Sequence, residues 1–387
     1  MIPYSKQLID NKDIKSAVKV LRSDLITQGP IVKEFEKKLA KFCNAKFAIA
    51  LNSATAGLHI ACLALGLKKG DYLWTSPISF VASANCGIYC GAKIDFVDIN
   101  NSTFNMDVIK LEEKLIKAKK NKKLPKILIP VHLGGLSCDM KKIFQLSKKY
   151  KFKIIEDASH ALGSYHGNYK VGSCKYSDLT VFSFHPVKII TTGEGGAVLS
   201  NNKKIFQKLT YMQSSGINKN LPRKKIARKG LWFYEQVCIG FNYRMNEISA
   251  ALGRSQLEKV NSFTKKRNSI AKKYISSFKN TEIKIQKIPE ENYSSYHLFI
   301  IRVNKDIRKS LFSYLRKKNY FVNVHYIPIY KHPFYKKLFK NFRLIEAENY
   351  YNESISIPIY PNLKKTEVNR VIKIVKNYIN NNGEKKN

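Results

Sequence analysis

Short runs of apolar residues between positions 47 and 200 alternate with longer stretches in which apolar residues recur every three or four positions. The short runs predict buried strands, and the longer period predicts helices, most clearly over 56–65 and 140–150. Strands that alternate with helices are joined by crossovers, so the pattern predicts an α/β fold around a mostly parallel sheet. The predicted strands are 47–51, 71–75, 94–97, 127–131, 152–155, 179–182 and 196–200.

The second half of the chain carries a separate set of elements. A long helical pattern over 246–278 is followed by a strand-like run at 296–302 and a helical pattern at 366–378. With 387 residues, the chain exceeds what one hydrophobic core usually holds. We therefore predict a large domain over 1–250 and a small C-terminal α/β domain over 251–387.

Composition and the chain ends favour a cytoplasmic protein. Hydrophobic residues make up 44% of the chain, but no uninterrupted apolar run reaches the length of about 18 residues that a membrane span needs. The start lacks the basic and apolar regions of a secretory signal, and the polar tail at 380–387 is expected to fray. An odd number of cysteines without a CxxC pair favours reduced thiols over disulfides or a zinc site. The cysteines are Cys43, Cys62, Cys86, Cys90, Cys138, Cys174 and Cys238.

The net charge of +41 raises the question of nucleic-acid binding. The lysines are spread over the whole chain, which is not the pattern of a basic patch. The densest runs, 117–123 and 223–229, are predicted to be exposed loops. A positive field would attract a phosphorylated cofactor or a nucleotide sugar, but it does not identify either.

The strongest chemical signal lies between Phe182 and Gly196. Lys188 follows the apolar run Phe182-Ser183-Phe184 and precedes a glycine-rich turn over 191–196. A lysine that forms a Schiff base must be partly desolvated, so that its neutral form is accessible. A surface lysine is the ordinary alternative in so basic a chain, and the apolar and glycine-rich surroundings argue against it.

Asp157 ends another apolar run, 31 residues before Lys188. In parallel sheets, ligands bind at the carboxyl ends of the strands, so both residues could reach one crevice. Pyridoxal phosphate needs a lysine for its aldehyde and a carboxylate for its ring nitrogen. Taken alone, Asp157 is equally typical of a helix cap.

Two further motifs fit the same chemistry. Ser53, Ala54 and Thr55 open a predicted helix directly after a strand, where backbone N–H groups can bind a phosphate, although a simple helix cap would look the same. Phe80 offers an aromatic face for a pyridine ring, and core packing is the alternative.

In this order, the motifs resemble those of the DegT/DnrJ/EryC1/StrS family of sugar aminotransferases, essentially from end to end. The resemblance implies a PLP-dependent transferase of fold type I, similar to aspartate aminotransferase, with pyridoxal 5′-phosphate (PLP) as cofactor. Gly134-Gly135 departs from the aromatic-Gly pair of relatives. The matching motifs are Gln28-Gly29-Pro30, Asn52-Ser53-Ala54-Thr55, Gly70-Asp71, Gly91-Ala92, Pro130-Val131-His132-Leu133, Glu156-Asp157-Ala158-Ser159-His160-Ala161, Phe182-Ser183-Phe184, Lys188, Thr192-Gly193-Glu194-Gly195-Gly196 and Gly240-Phe241-Asn242-Tyr243-Arg244.

The resemblance also implies a role for each residue at the cofactor. Lys188 would hold the cofactor covalently and move protons, and Asp157 would pair with the ring nitrogen. Phe80 would stack on the ring, and His160 would lie near its phenolic oxygen. The phosphate site would contain Ser53, Ala54, Thr55 and Ser183, together with Asn242 from the neighbouring subunit of a homodimer.

Within the family, the segments 74–85, 159–164, 184–188 and 324–330 are most similar to the subgroup of pseudaminic acid biosynthesis. The resemblance implies a surface glycan, and its destination on flagellin, capsule or lipopolysaccharide stays open. It also implies L-glutamate as amino donor, 2-oxoglutarate as its product, and a UDP-linked 4-keto amino sugar, UDP-4-keto-6-deoxy-N-acetyl-L-altrosamine, as acceptor. The implied sugar-pocket residues are Tyr4, Asp24, Leu25, Ile26, Thr27, Asn323, Val324, His325 and Tyr326, with Ala54, Ser183 and Asn242 shared with the phosphate site.

Three alternatives stay open. A sugar aminotransferase acting on a GDP-linked 4-keto-mannose, like GDP-perosamine synthase, or on a 3-keto sugar would share the same motifs. An amino-acid transaminase would usually place an arginine in the small domain to bind a carboxylate, where this chain has Val324 and His325. A PLP-dependent regulator or a nucleic-acid binder would use the charge, but no helix-turn-helix extension is evident.

Overall fold

The computed structural model describes residues 1–218 and 221–383. Each of the seven strands predicted between positions 47 and 200 is present, with ends within two residues of the predicted ones, and the short strands at 165–166 and 169–170 were not predicted. The strands are β1 (Ile2–Pro3), β2 (Phe47–Leu51), β3 (Tyr72–Thr75), β4 (Lys93–Phe96), β5 (Ile127–Ile129), β6 (Lys153–Asp157), β7 (Tyr165–His166), β8 (Tyr169–Lys170), β9 (Leu179–Ser183), β10 (Gly196–Ser200), β11 (Ile217–Asn218), β12 (Glu235–Gln236), β13 (Lys284–Ile285), β14 (Asn292–Tyr293), β15 (Phe299–Arg302), β16 (Tyr320–Phe321) and β17 (Ser354–Ile357).

Helices connect these strands, and the predicted helix over 140–150 has the observed bounds. The helices are α1 (Asn11–Leu21), α2 (Pro30–Cys43), α3 (Ala54–Ala64), α4 (Ala82–Tyr89), α5 (Val108–Lys120), α6 (Met140–Tyr150), α7 (Lys203–Met212), α8 (Arg223–Lys229), α9 (Glu247–Leu257), α10 (Val260–Phe278), α11 (Lys305–Lys317), α12 (Pro333–Lys336), α13 (Ile345–Glu353) and α14 (Lys365–Gly383). In the described part of the chain, none of them has both the length and the apolar character of a membrane span.

A seven-stranded sheet forms the centre, in the order β2-β10-β9-β6-β5-β3-β4. β10 runs antiparallel to both of its neighbours, and the other strand pairs are parallel. This confirms the predicted α/β fold with a mostly parallel sheet. Most residues of these strands are buried, as in a parallel sheet with helices on its faces, which explains why the strands are largely apolar runs. The carboxyl ends of β2, β3, β5, β6 and β9 therefore meet along one edge.

The C-terminal part builds a second, three-stranded sheet in the order β13-β15-β17. Its core lies between this sheet and the helices α10, α11 and α14, and includes Tyr274, Ile301, Leu311, Ile355 and Val371. The division of the chain at 250/251 stays a prediction. The tail predicted to fray is partly helical, because residues 380–383 continue α14, while 384–387 lie outside the described residues.

The helical pattern over 246–278, predicted as one helix, is two helices that break at Glu258 and Lys259. Lys259 Nζ contacts Asp10 Oδ2 at 2.6 Å and Asp13 Oδ2 at 2.8 Å, and Glu258 pairs with Lys12 at 2.6 Å. These ion pairs with the start of α1 hold the chain in a turn. They join residues far apart in the sequence, so local periodicity could not reveal the break.

The two basic runs are more helical than predicted. Residues 223–229 are exposed, as expected, but they form α8 rather than a loop. Lysine, arginine and alanine are good helix formers, Pro222 precedes the first turn, and Gly230 ends the helix at φ 104°. In the other run, Lys117 to Lys120 complete α5, and the loop begins only at Asn121.

Glu36 covers an unpaired N–H of the sheet edge. β2 is an edge strand, and its Ala50 N–H donates to Glu36 Oε1 at 2.8 Å. Burial raises the pKa of Glu36 to about 7; the negative charge of Glu247 adds to this effect and Lys33 opposes it. The folded chain therefore holds the Glu36 proton more tightly than the unfolded chain does.

We expect this carboxyl to stabilise the fold fully below about pH 4.5 and to lose its contribution as the pH rises to about 7. Glu36→Gln keeps an oxygen acceptor for Ala50 but cannot ionise. The variant should match the wild type near pH 5 and exceed it by roughly 1–3 kcal/mol in free energy of unfolding near pH 8. Urea denaturation at both pH values measures this. Glu113→Gln, on the exposed face of α5, is the control, and an equal difference at both pH values would contradict the argument.

Candidate active site

The sequence-predicted residues lie at the shared edge where the parallel strands end. Asp157 is the last residue of β6, and Ser183 is the last residue of β9. Ser53 follows β2 and is the N-cap of α3, with its hydroxyl accepting from Ala56 N–H. Lys188 lies in the loop between β9 and β10. The topology alone thus gathers residues that are far apart in the chain.

The carboxylate of Asp157 is buried and hydrogen-bonded on both oxygens. Ser159 donates to Oδ1 through its hydroxyl at 2.6 Å and its backbone N–H at 3.1 Å. Ser83 donates its hydroxyl to Oδ2 at 2.6 Å, and the Ser79 hydroxyl lies 2.7 Å from that of Ser83. Each donor stabilises the negative charge, which would be costly in a buried site without partners.

Lys188 is the positive group of the site. Burial lowers the pKa of Lys188 to about 8, and the negative charge of Asp157 opposes this shift. A substantial fraction of the amine is therefore neutral near pH 8, as nucleophilic attack on an aldehyde requires. The role of Lys188 as the cofactor's lysine stays a prediction, and its lowered pKa is compatible with that role.

His160 is held as a neutral imidazole. Its Nδ1 accepts the backbone N–H of Gly134 at 3.3 Å, so the proton is on Nε2, which lies 3.1 Å from the hydroxyl of Tyr326. Burial and the charge of Lys188 hold the pKa of His160 well below its usual range. The ring of His297 lies 4.3 Å from that of His160, and its pKa is also lowered, first by burial.

The loop after β16 brings the predicted sugar-pocket residues to the same place. The His325 ring lies 4.7 Å from the ring of Tyr4, and its Nδ1 is 2.8 Å from the hydroxyl of Ser356. Burial and the charge of Lys188 lower the pKa of His325 to about 3. Asn323 Nδ2 lies 3.5 Å from His325 Nε2, and Val324 follows it half-buried. The His325–Tyr326 peptide bond is cis.

The start of α3 supplies backbone donors at this edge. The first N–H groups of a helix have no partners within the helix, so those beginning at Ala54 and Thr55 can bind an anion. β10 starts so close that a Cβ on Gly196 would collide with the backbone of Ser53 and Ala54. Phe80 lies in the loop between β3 and α4. Its side chain is 59% exposed, and its ring is 6.5 Å from the ring of Tyr326.

Two groups of predicted residues lie on exposed parts of the chain. Asp24, Leu25, Ile26 and Thr27 are exposed, and the carbonyl of Ile26 accepts the N–H of Glu247, which in turn caps α2 through Ile31 N–H. Ile26 is thus bonded to the start of α9, and the part of these four residues in a sugar pocket stays a prediction.

Asn242 is exposed, and its carbonyl accepts from Asn52 Nδ2 at 3.4 Å. It therefore lies next to the start of α3 within one chain. Its part in the phosphate site of a neighbouring subunit stays a prediction.

Sequence reasoning missed Ser83 and Ser159 as partners of Asp157, and Ser79 as the partner of Ser83. The sequence does contain a spacing that could have indicated the pair, because Ser79 and Ser83 are four residues apart, with Phe80 between them. Serine is too common a residue for this spacing to be informative alone. Sequence reasoning also left open the contacts at Gly134 and Gly135. Both have positive φ, and a Cβ on either would press on Gln286 Oε1 at 2.9 Å or Ser295 Oγ at 2.6 Å.

These groups fit pyridoxal phosphate. Lys188 offers an amine of lowered pKa, and Asp157 offers a buried carboxylate for a ring nitrogen. The start of α3 offers N–H donors for a phosphate, and Phe80 offers an exposed aromatic face. All four lie along one edge of the sheet, as a single bound molecule would require.

Comparison with known proteins gives a consistent result. The sequence pattern of the DegT/DnrJ/EryC1/StrS aminotransferase family matches residues 7–376. The Campylobacter jejuni protein named UDP-4-amino-4,6-dideoxy-N-acetyl-beta-L-altrosamine transaminase is 42% identical over 364 residues, covering 93% of each chain. The Bacillus subtilis spore coat polysaccharide biosynthesis protein SpsC is 33% identical over 386 residues, covering 98% of this chain and 97% of that protein.

Solved structures have the same fold. Helicobacter pylori PseC, an aminotransferase involved in the biosynthesis of pseudoaminic acid, superposes with a TM-score of 0.89 at 32% identity, covering 98% of this chain and 99% of that one. Spr1654 of Streptococcus pneumoniae in its PMP form superposes with a TM-score of 0.89 at 30% identity, with the same coverage.

The pKa of Lys188 can be tested on the apoprotein. Acetylation by acetic anhydride, followed by mass spectrometry across a pH series, should give a midpoint near pH 8 for Lys188, well below the ordinary lysine value of about 10.4. Asp157→Asn removes the charge that favours the ammonium form, so the midpoint should move lower. Asp178→Asn, which removes the partner of Lys153, is the matched control. A Lys188 midpoint near 10 would refute the predicted desolvation.

Proposed function

Because the chain belongs to the DegT/DnrJ/EryC1/StrS aminotransferase family, we propose that it transfers an amino group from L-glutamate to C4 of UDP-4-keto-6-deoxy-N-acetyl-L-altrosamine. The product would be UDP-4-amino-4,6-dideoxy-N-acetyl-β-L-altrosamine, an intermediate of pseudaminic acid biosynthesis. The observation that carries the chemistry is a lysine of lowered pKa, Lys188, whose ammonium form is favoured by the charge of the buried, hydrogen-bonded Asp157. The relatives of the same name, at 42%, 40% and 35% identity, support the choice of sugar.

Lys188 is the catalytic residue of this proposal. PLP, when bound, withdraws electrons from the carbon that gains or loses the amino group. Lys188 holds the cofactor covalently and carries protons on Nζ as general acid and base in both halves of the reaction. A pKa near 8 suits this role, because both forms of the amine are accessible near neutral pH.

Asp157 and the surrounding residues orient the cofactor. Asp157 would pair with the ring nitrogen and keep it protonated, and Phe80 would stack on the ring face. His160, neutral and held by Gly134 N–H, would lie near the phenolic oxygen. Ser53, Ala54, Thr55 and Ser183, at the start of α3 and the end of β9, would bind the phosphate.

The part of the proposed sugar pocket that Tyr4 and the loop after β16 would form has polar side chains without a fixed charge. Tyr4, Asn323, His325 and Tyr326 surround it, and the low pKa of His325 keeps that imidazole neutral. An amino-acid transaminase would need a fixed positive charge for a second carboxylate, so the loop favours a neutral sugar ring. Val324 and the segment Asp24, Leu25, Ile26 and Thr27 complete the proposed pocket.

A homodimer completes the site in this proposal. Leu231, Trp232 and Ile239 are 93%, 82% and 80% exposed in the single chain, which is unusual for large apolar side chains on one short segment. This segment leads directly to Asn242. A second copy that covers it would bring Asn242 to the phosphate site of its partner. We place the enzyme in the cytoplasm, where its seven free cysteines would stay reduced.

An aminotransferase for another nucleotide-linked keto sugar is the second candidate, because the catalytic residues would be identical. The protein loaded with PLP should lose its visible absorption band when L-glutamate is added. After removal of glutamate, UDP-4-keto-6-deoxy-N-acetyl-L-altrosamine should restore the band in stoichiometric amount. Recovery only with a GDP-linked 4-keto sugar would replace the proposed substrate and leave the aminotransferase. A band that glutamate does not change would refute the amino donor.

Mixing two inactive variants tests the shared site. Lys188→Ala and Asn242→Ala should each lose activity, by roughly 10³-fold for the lysine. If Asn242 acts in the partner's site, dimers re-formed from a mixture contain one site with both native residues, and about a quarter of the total sites regain activity on a random-exchange estimate. Mixing Lys188→Ala with a Lys188→Ala/Asn242→Ala double variant is the control. No recovery after proven subunit exchange would place Asn242 in its own chain's site.

A further inference from the structure

Two serine hydroxyls form a buried chain that ends on Asp157. Ser83 Oγ lies 2.6 Å from Asp157 Oδ2, and Ser79 Oγ lies 2.7 Å from Ser83 Oγ. A carboxylate can only accept, so the Ser83 proton points at Asp157. Ser83 then accepts from Ser79, and both protons are directed towards the carboxylate. Ser83 is fully buried and Ser79 is 3% exposed, so water does not compete for these bonds.

The two oxygens of Asp157 are not equivalent. Oδ1 accepts two donors from Ser159, which fills its two acceptor positions. Oδ2 accepts Ser83 alone among the donors described. The acceptor position left for a further N–H donor is therefore on Oδ2. Ser83 holds the oxygen that a protonated ring nitrogen would meet.

The same serines also fix the turn that carries Phe80. Ser79 precedes Phe80, and the backbone N–H of Ser83 donates to the Phe80 carbonyl at 3.2 Å. The hydrogen bonds to Asp157 therefore tie the turn with the exposed aromatic ring to the end of β6. The two serines therefore position both Asp157, the proposed partner of the ring nitrogen, and Phe80, the aromatic ring proposed to stack on the cofactor.

We propose that Ser83, supported by Ser79, is a positioning residue that orients Asp157 Oδ2 towards the cofactor ring nitrogen and sets the protonation of that nitrogen. The proposal rests on the proposed function, because it takes Asp157 as the partner of the ring nitrogen. Beyond that pairing, it assigns the contact with the ring nitrogen to Asp157 Oδ2 and names Ser83 as the donor that holds this oxygen. It also connects the position of Phe80 to the same hydrogen bonds.

A merely structural serine would act differently. Ser83 lies in the first turn of α4, and its carbonyl accepts from Cys86 Sγ at 3.4 Å. Were its hydroxyl needed only for helix packing, its loss would lower stability and leave the cofactor's spectrum unchanged. In the proposed role, weaker stabilisation of the Asp157 charge lets the ring-nitrogen proton move towards the carboxylate. The ring then loses positive charge, which raises the pH at which its visible band changes.

The test uses the full-length protein reconstituted with PLP. Ser83→Ala should weaken PLP affinity by about tenfold, as expected for a hydrogen bond to a charged group. It should also raise the pH midpoint of the visible band. Ser79→Ala, which removes only the second donor, should move both quantities in the same direction by less. Ser147→Ala, which removes a buried hydroxyl bonded to the Phe144 carbonyl on α6, should move neither.

The Asp157→Asn variant distinguishes failure of the role proposed for Ser83 from failure of the proposed pairing between Asp157 and the ring nitrogen. If Asp157→Asn raises the midpoint and Ser83→Ala does not, the role of Ser83 is refuted and the proposed function is untouched. If Asp157→Asn also leaves the midpoint unchanged, the pairing of Asp157 with the ring nitrogen fails, and the proposal for Ser83 fails with it. Thermal unfolding of each apoprotein checks that the variants are folded at the temperature of the titration.

Discussion

The buried carboxylate of Asp157 is the group on which the arrangement of this site depends. A negative charge at the end of β6 needs donors, and it receives them from Ser159 on one side and from Ser83 on the other. It also stabilises the ammonium form of Lys188 against the effect of burial. The charge of Asp157 therefore links three loops that follow different strands, and a change at any one of them reaches the other two through this carboxylate.

Sequence patterns were sufficient for the sheet because its strands are buried on both faces. Continuous apolar runs such as 47–51 and 196–200 match the observed strands, and the position of Asp157 and Lys188 at strand ends follows from parallel topology. The break between α9 and α10 was missed because it depends on ion pairs with Asp10 and Asp13, more than 200 residues away. The serine partners of Asp157 were missed for a similar reason, since only the folded chain brings Ser83 to it.

The excess of basic residues has a limited structural role. The chain has 69 lysines and arginines against 28 acidic residues, so most positive charges cannot be paired within it. Where pairs form, many are at the surface and contribute little to stability. Arg267 is different, because it is fully buried and donates to the carbonyls of Tyr296, His297 and Ile359. The unpaired surface charge creates a positive field, which increases the encounter rate with an anionic nucleotide sugar.

The three imidazoles beside Lys188 have a consequence for how the site responds to acidity. His160, His297 and His325 all have pKa values below the usual histidine range, chiefly because they are buried. Each of them therefore stays neutral to a lower pH than an ordinary histidine, whose charge changes near neutral pH. The charge around the lysine is thus less sensitive to acidification than three ordinary histidines would make it. Histidine, usually the residue that makes a protein sensitive to pH, here serves as a constant polar lining.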